Sequence, residues 1–368
     1  MFERDADRRR FLKVGAAGVA GLALTNTSTR ARASTPIIAT ATLQEQANEL
    51  SNTLFKDDGL ARPIPSTPTV CELAEGLDRT LVLGGGGVWY IAWYVAFFKG
   101  LADAGLDMDG LSEMVVGTSA GAYMGSALRC GHTDHLLERM QYYAKQPDQF
   151  IKIAPFNNPN ISQQRAIKVS ADAKNGTTDT IQTIGRVALA AHNKADSDGA
   201  ERFAVALTGD STTDWPAKNL YTSSNDCYTG QRLIVSQETA RKNNIPLGRA
   251  TGASSSLPGV MGPTLLGERY GMDGGICSNA CHTDMVAGSK RAVVISLTNG
   301  LVPPVLTGIP HPIGQNIKDL HATGTKTKWI IANPPDINLM DPKNIASALT
   351  SGAQRAKTEA KDIEAFWA

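Results

Sequence analysis

The chain has 368 residues, 42% hydrophobic and 19% charged, with a formal net charge of +1; it is a soluble globular composition, long enough for a large core, and its length suits two domains or one larger α/β domain. Seven Arg/Lys against three Asp/Glu fall within residues 1–33, so the remainder is mildly acidic, which gives no electrostatic case for a nucleic-acid partner.

At the N-terminus, Arg8-Arg9-Arg10-Phe11-Leu12-Lys13 has the R-R-x-F-L-K form of a twin-arginine export signal. An apolar run follows over residues 14–24, too short for a bilayer, which takes about 20 residues. Ala31-Arg32-Ala33 then offers a small-x-small cleavage site. A basic tail before a short helix does not account for this order of charge, apolar run and cleavage site. The expectation is a signal peptide over 1–33, the twin-arginine export machinery as a partner, and a mature chain from Ser34 that is periplasmic or secreted. An uncleaved signal would serve as a weak membrane anchor.

Residues 34–73 read as a linker and exposed lead-in, with three prolines at 63–68 that cannot sustain a helix. The core pattern begins at Thr80, in a catalytic domain expected over 74–335. An apolar run ends in Gly84-Gly85-Gly86-Gly87, and residues 88–104 then read as a helix ending at Gly105. Its aromatic residues Trp89, Tyr90, Trp93, Tyr94, Phe97 and Phe98 cover more than one stripe, as in a helix buried against a sheet. A second apolar run, 114–116, enters Gly117-Thr118-Ser119-Ala120-Gly121, with a helix expected over 120–130. Strand–helix–strand–helix order implies parallel strands. The region 150–225 is polar and broken, and reads as insertions with a helix at 180–192 and a strand at 203–208. Strands follow at 292–297 and 329–332. Asp341-Pro342 suits a helix start, and Ile345, Leu349, Ala356, Ile363 and Trp367 fit one face of a docking helix within 336–368. The five cysteines, Cys71, Cys130, Cys227, Cys277 and Cys281, leave an odd thiol; Cys277 and Cys281, with His282 adjacent, lack the second cluster that a metal site needs.

Two features carry chemistry. Gly117–Gly121 has the G-x-S-x-G form of a nucleophile elbow, a sharp turn that exposes Ser119 at the start of a helix. Flanking glycines remove side chains that would clash there, and the Ala120 N–H can stabilise negative charge. The first glycine turn can present further N–H groups to an anion. A serine hydroxyl also needs a base. The histidines after Ser119 are His132, His135, His192, His282, His311 and His321, none in a convincing signature. Asp273, in Met272-Asp273-Gly274-Gly275, is a carboxylate at a strand end that burial would tune toward neutral pH. A turn aspartate of ordinary role has the same composition.

Four segments in order, Leu81-Val82-Leu83-Gly84-Gly85-Gly86-Gly87, Gly117-Thr118-Ser119-Ala120-Gly121, Ala253-Ser254-Ser255-Ser256-Leu257-Pro258-Gly259-Val260 and Asp273-Gly274-Gly275, resemble the patatin-like phospholipases. That resemblance spans roughly 80–297, with the polar middle poorly matched. It implies a three-layer α/β/α sandwich with a mostly parallel central sheet, and a Ser-Asp dyad without a catalytic histidine. By it, Ser119 is the nucleophile, Asp273 the base, and Gly85, Gly86 and Gly87 the oxyanion-hole segment. The implied substrate is a lipid or other acyl ester, hydrolysed through an acyl-Ser119 intermediate with no cofactor or metal and with transient contact with a membrane surface. Two departures stand out. Val88-Trp89-Tyr90 replaces the family's usual x-Arg/Lys-Gly, which favours less anionic acyl esters, and Asn279-Ala280-Cys281 lacks the proline of Asn-x-Pro. Competing expectations are a histidine-dependent α/β-hydrolase-type esterase, using His282, His311 or His321, and a non-catalytic lipid-binding protein on the same scaffold.

Overall fold

The structure is a computed structural model that describes residues 55, 57–154, 158–193, 198–209, 215–217, 219–300 and 307–368. All of them belong to the compact unit Gln44–Ala368; the expected export signal lies outside the described residues. In chain order the strands are β1 (Arg79–Leu83), β2 (Met114–Gly117), β3 (Asn219–Asp226), β4 (Arg232–Val235), β5 (Thr264–Leu266), β6 (Arg269–Asp273), β7 (Arg291–Ser296) and β8 (Lys326–Ile331). The helices are α1 (Gly87–Asp103), α2 (Met108–Leu111), α3 (Ala120–Arg129), α4 (Thr133–Lys145), α5 (Pro147–Ile153), α6 (Ile161–Ala171), α7 (Thr178–Ala190), α8 (Gly199–Thr208), α9 (Gln237–Asn243), α10 (Leu247–Ser254), α11 (Ile313–Ala322) and α12 (Ile345–Trp367).

These strands form one mixed sheet of order β5-β6-β3-β2-β1-β7-β8, with β4 also paired to β3. From β3 to β8 every pairing is parallel; β4, β5 and β6 add antiparallel pairings at the β3 end. The period-two alternation of strand side chains sorts the core. Leu81, Leu83, Val115, Val293 and Ile295 enter one apolar cluster with α1, α3 and α12. Val82, Met114, Val116, Ala292 and Val294 enter another with α11. Apolar layers on both faces explain why the central strands are continuous hydrophobic runs.

The aromatic helix α1 is buried on every side from Gly87 to Phe98, with Trp89, Tyr90, Trp93, Tyr94 and Phe97 all at 1% exposure or less. On its far side lies α12. Small residues bring the two together: a Cβ at Gly352 would stand 2.2 Å from the Trp93 carbonyl oxygen, and one at Gly100 would stand 2.6 Å from the Ala356 Cβ. The expected docking face holds for Ile345, Ala356, Ile363 and Trp367, all buried, while Leu349 is half-buried. Asp341 caps as expected, accepting from the Lys343 N–H at 3.0 Å, but the turn it opens is a 3-10 turn, Pro342–Asn344, that leads into α12.

Three local expectations are corrected. The segment expected as a strand at 203–208 is the end of α8. Phe203, Ala204, Leu207 and Thr208 are its buried residues, a helical i, i+1, i+4, i+5 pattern that six residues cannot separate from alternation. Close contact with α10 selects the helix, since a Cβ at Gly252 would lie 2.6 Å from the Ala200 backbone. Second, the polar region expected as insertions, 150–225, supplies most of β3, beside β2 in the sheet. Third, the lead-in is not wholly exposed: Leu60 is fully buried, and Ala61 bridges to Leu233.

Candidate active site

Three chain segments meet at the carboxyl ends of β1 and β2, where the chain turns to opposite sides of β1: β2 lies on one side and β7 on the other. Such switch points are where open α/β sheets bind ligands. Ser119 stands between β2 and α3 with φ 51° and ψ −117°, a strained backbone for a residue with a side chain. The elbow's glycines are fixed by close approach. A Cβ at Gly121 would fall 2.0 Å from the Leu83 carbonyl oxygen of β1, and one at Gly117 would fall 2.6 Å from the Gly121 carbonyl oxygen. The sharp turn is thereby wedged against the neighbouring strand.

Asp273 ends β6, and its sheet partner is Ser224 of β3. Both Ser119 and Asp273 are withdrawn from solvent, at 5% and 3% exposure. Burial pushes the Asp273 carboxyl up from its ordinary value to about 7, against the opposing pull of the Gly275 N–H and the Ser119 hydroxyl. The Gly275 N–H donates to Oδ1 at 2.7 Å. The other oxygen, Oδ2, is buried without a hydrogen bond, and the Ser119 hydroxyl lies close enough to the carboxyl to act on its pKa.

One short segment, Ser254-Ser255-Ser256, holds both members. Ser254 Oγ accepts from the Ser119 N–H at 2.9 Å. The Ser254 carbonyl accepts from the Gly274 N–H at 3.1 Å, and the Ser256 carbonyl from the Asp273 N–H at 3.0 Å. Asn225 Nδ2 donates to the Asp273 carbonyl at 2.8 Å, and Ser223 pairs with Thr118 at 2.9 Å. Ser223 and Asn225 of β3 are thus braces for the site. Ser254 lies in the 253–260 segment that carried the resemblance, without its tethering role being apparent there; sequence reasoning missed Asn225 and Ser223, for which a run of polar residues in a strand was the available signal.

The glycine turn lies against Ser119: a Cβ at Gly85 would come 3.0 Å from the Ser119 Cβ. Among the described residues, no backbone carbonyl accepts from the Gly85 or Gly86 N–H. Gly87 and Ala120 are the first residues of α1 and α3, and a helix N-terminus carries partial positive charge. The start of α3 directly follows Ser119, and a Cβ at Gly85 would stand 3.7 Å from its Oγ. Val88, Trp89 and Tyr90, which follow the turn, are buried in the core, so this part of α1 brings no charged side chain to the site.

Histidines are placed elsewhere. Both ring nitrogens of His282 are engaged, with the Gly274 carbonyl and with Arg232. His311 meets the Gly275 backbone, and burial lowers its pKa. His321 is exposed on α11. Among the described residues none donates to the Asp273 carboxylate, the contact that orients the ring in a Ser-His-Asp triad. All five cysteines are free thiols.

A family model described as patatin-like phospholipase matches residues 81–285, which include the glycine turn, Ser119 and Asp273. No curated protein matches the chain. Among solved structures, VipD from Legionella pneumophila is similar at 13% identity with a TM-score of 0.34, over 82% of this chain and 71% of its own. The type III effector protein ExoU is similar at 14% identity with a TM-score of 0.32, over 77% of this chain and 54% of its own.

Proposed function

Since the chain belongs to the patatin-like phospholipase family, a family of lipid hydrolases, we propose that it cleaves carboxylic acyl esters of lipids with Ser119 as nucleophile and Asp273 as base. The supporting observation is the strained Ser119 beside a buried carboxyl whose pKa stands near 7. In this reading Ser119 Oγ attacks the ester carbonyl carbon and its proton passes to Asp273. Negative charge on the former carbonyl oxygen is met by the N–H groups of Gly85, Gly86, Gly87 and Ala120. Collapse expels the alkoxide, which takes the proton from Asp273, and leaves acyl-Ser119. Water then attacks the acyl carbon, gives its proton to Asp273, and that proton returns to Ser119 as the fatty acid leaves. A carboxyl titrating near 7 accepts and returns a proton without a large energetic penalty either way.

The test is hydrolysis of short-chain and long-chain acyl esters and a phospholipid. Ser119→Ala and Asp273→Asn should each lower kcat by roughly 10⁴-fold while remaining folded. Activity that survives Ser119→Ala would refute the assignment. In the wild type, kcat/KM should fall with acid as Asp273 becomes protonated, with its midpoint at about pH 7. The twin-arginine motif at Arg8–Lys13 further supports the proposal that the enzyme is exported and acts outside the cytoplasm or at a membrane surface.

A further inference from the structure

His282 is a buried titratable group that the proposed chemistry leaves unused. It is fully buried and occupies the left-handed region, at φ 51° and ψ 43°, just before the 3-10 turn Thr283–Val286. Its Nε2 lies 2.9 Å from the Gly274 carbonyl oxygen, and a carbonyl can only accept, so Nε2 carries the proton. Nδ1 faces Arg232 Nη1 at 3.3 Å and accepts from it. Arg232 is itself immobilised: Asp284 accepts from Nη1 and Nη2 at 2.7 Å each, and the Arg62 and Pro63 carbonyls take its remaining directions. Asn279 Nδ2 steadies Asp284 at 2.9 Å.

The far end of this chain of contacts reaches the catalytic carboxyl. The Gly274 carbonyl and the Gly275 N–H belong to one peptide group, and that N–H donates to Asp273 Oδ1 at 2.7 Å. A peptide between two glycines has few intrinsic constraints against rotation, so an external donor has something to fix. Donation to its carbonyl also polarises the peptide and strengthens its N–H as a donor.

We propose that His282 is a positioning residue for Asp273, which sets the direction and strength of the hydrogen bond to Oδ1 through the Gly274–Gly275 peptide and so fixes the orientation of the carboxyl beside Ser119. The inference rests on the reading of Asp273 as base. Other titratable groups facing the carboxyl are Tyr123 and Cys277, both kept protonated by burial; those facing His282 are Arg232, Asp284 and His311. Cys277 Sγ lies 3.4 Å from the same Gly274 carbonyl, a weaker donor than the imidazole.

The test compares His282→Leu, which removes the donor, with His282→Gln, which keeps an N–H of similar reach, on a short-chain ester. His282→Leu should lower kcat about 10–100-fold with KM within about twofold. Its carboxylate loses stabilisation, so the acid limb of kcat/KM should move to higher pH. His282→Gln should keep kcat within about threefold of wild type and leave the acid limb in place. An unmoved acid limb and unchanged kcat in folded His282→Leu overturn the proposal, as does a His282→Gln variant as impaired as His282→Leu, which would mean that the ring itself reacts. Should His282→Leu fail to fold, Asp284→Asn loosens Arg232 and should move the acid limb the same way; an unmoved limb overturns the proposal. If the wild type hydrolyses no ester, the functional reading falls alone. The network then remains testable by ¹⁵N spectra of the ring, which should stay the neutral Nε2–H tautomer down to about pH 5; titration near its ordinary value of 6.5 would overturn it.

Discussion

Asp273 is tuned at a cost in stability. Its carboxyl has an ordinary value of 3.8 and stands at about 7 in the fold. Across that interval the folded chain holds a proton that the unfolded chain has released, so this group makes the fold less stable as pH rises through the interval. A tenfold change in proton affinity corresponds to about 1.4 kcal/mol, so the penalty is on the order of a few kcal/mol above pH 7. Asp273→Asn should therefore melt higher than wild type at pH 8, with the gain shrinking toward pH 4; thermal melts across that range check it, and an Asn variant less stable at pH 8 would refute the account. Ser119 carries strain of a similar kind in its backbone. Its legibility in the sequence came from two glycines, each now explained by a close approach to backbone. Asp273 was legible only as a glycine-flanked acid, because the burial that tunes it comes from distant segments. His282 was legible as a histidine but not in its role. The partner that defines it, the Gly274 carbonyl, is a backbone group with no sequence signature.

At the scale of elements, α1 and α12 show how far side-chain volume decides the fold. Their axes approach where Gly352 meets the Trp93 carbonyl and Gly100 meets Ala356. Gly352→Ala would place a methyl 2.2 Å from that carbonyl oxygen, so the helices must separate or the variant must strain. A loss of about 1–3 kcal/mol is expected, measured as a lower midpoint in chemical denaturation; an unchanged midpoint would show that the interface yields freely. The strongly apolar elements, β1, β2, α1 and β7, were readable because burial on all sides leaves a continuous hydrophobic run. By contrast, β3 was hidden by its own polarity. Thr222, Ser223, Ser224, Asn225 and Asp226 are all buried, and three of them face polar groups: Asp226 accepts from Arg269 at 2.8 Å, Asn225 donates to the Asp273 carbonyl and Ser223 pairs with Thr118. Polar strands of this kind look like loops until their partners are known. The end of α8 was misread for the opposite reason, since its alternation of large and small apolar residues fits either period.

For the molecule as a whole, the parallel sheet delivers the glycine turn and Ser119 from adjacent strands, while the antiparallel β6 brings Asp273 to them from the far side of β3. No helix among the described residues is long and apolar enough to cross a membrane. The export reading is tested on the molecule's first segment. Residues 1–40 fused to a folded reporter should carry it out of the cytoplasm, and replacing Arg8 and Arg9 by lysine should retain it inside; export that is indifferent to the arginines would refute the assignment. The serine segment 254–256 has a consequence for motion. Ser119 and Asp273 are 154 positions apart in sequence, yet each is tethered to this one stretch of three residues. Displacements of the stretch are therefore shared by both tethered backbones. A shift of the stretch would thus carry Ser119 and Asp273 in the same direction, as if both were mounted on one carriage.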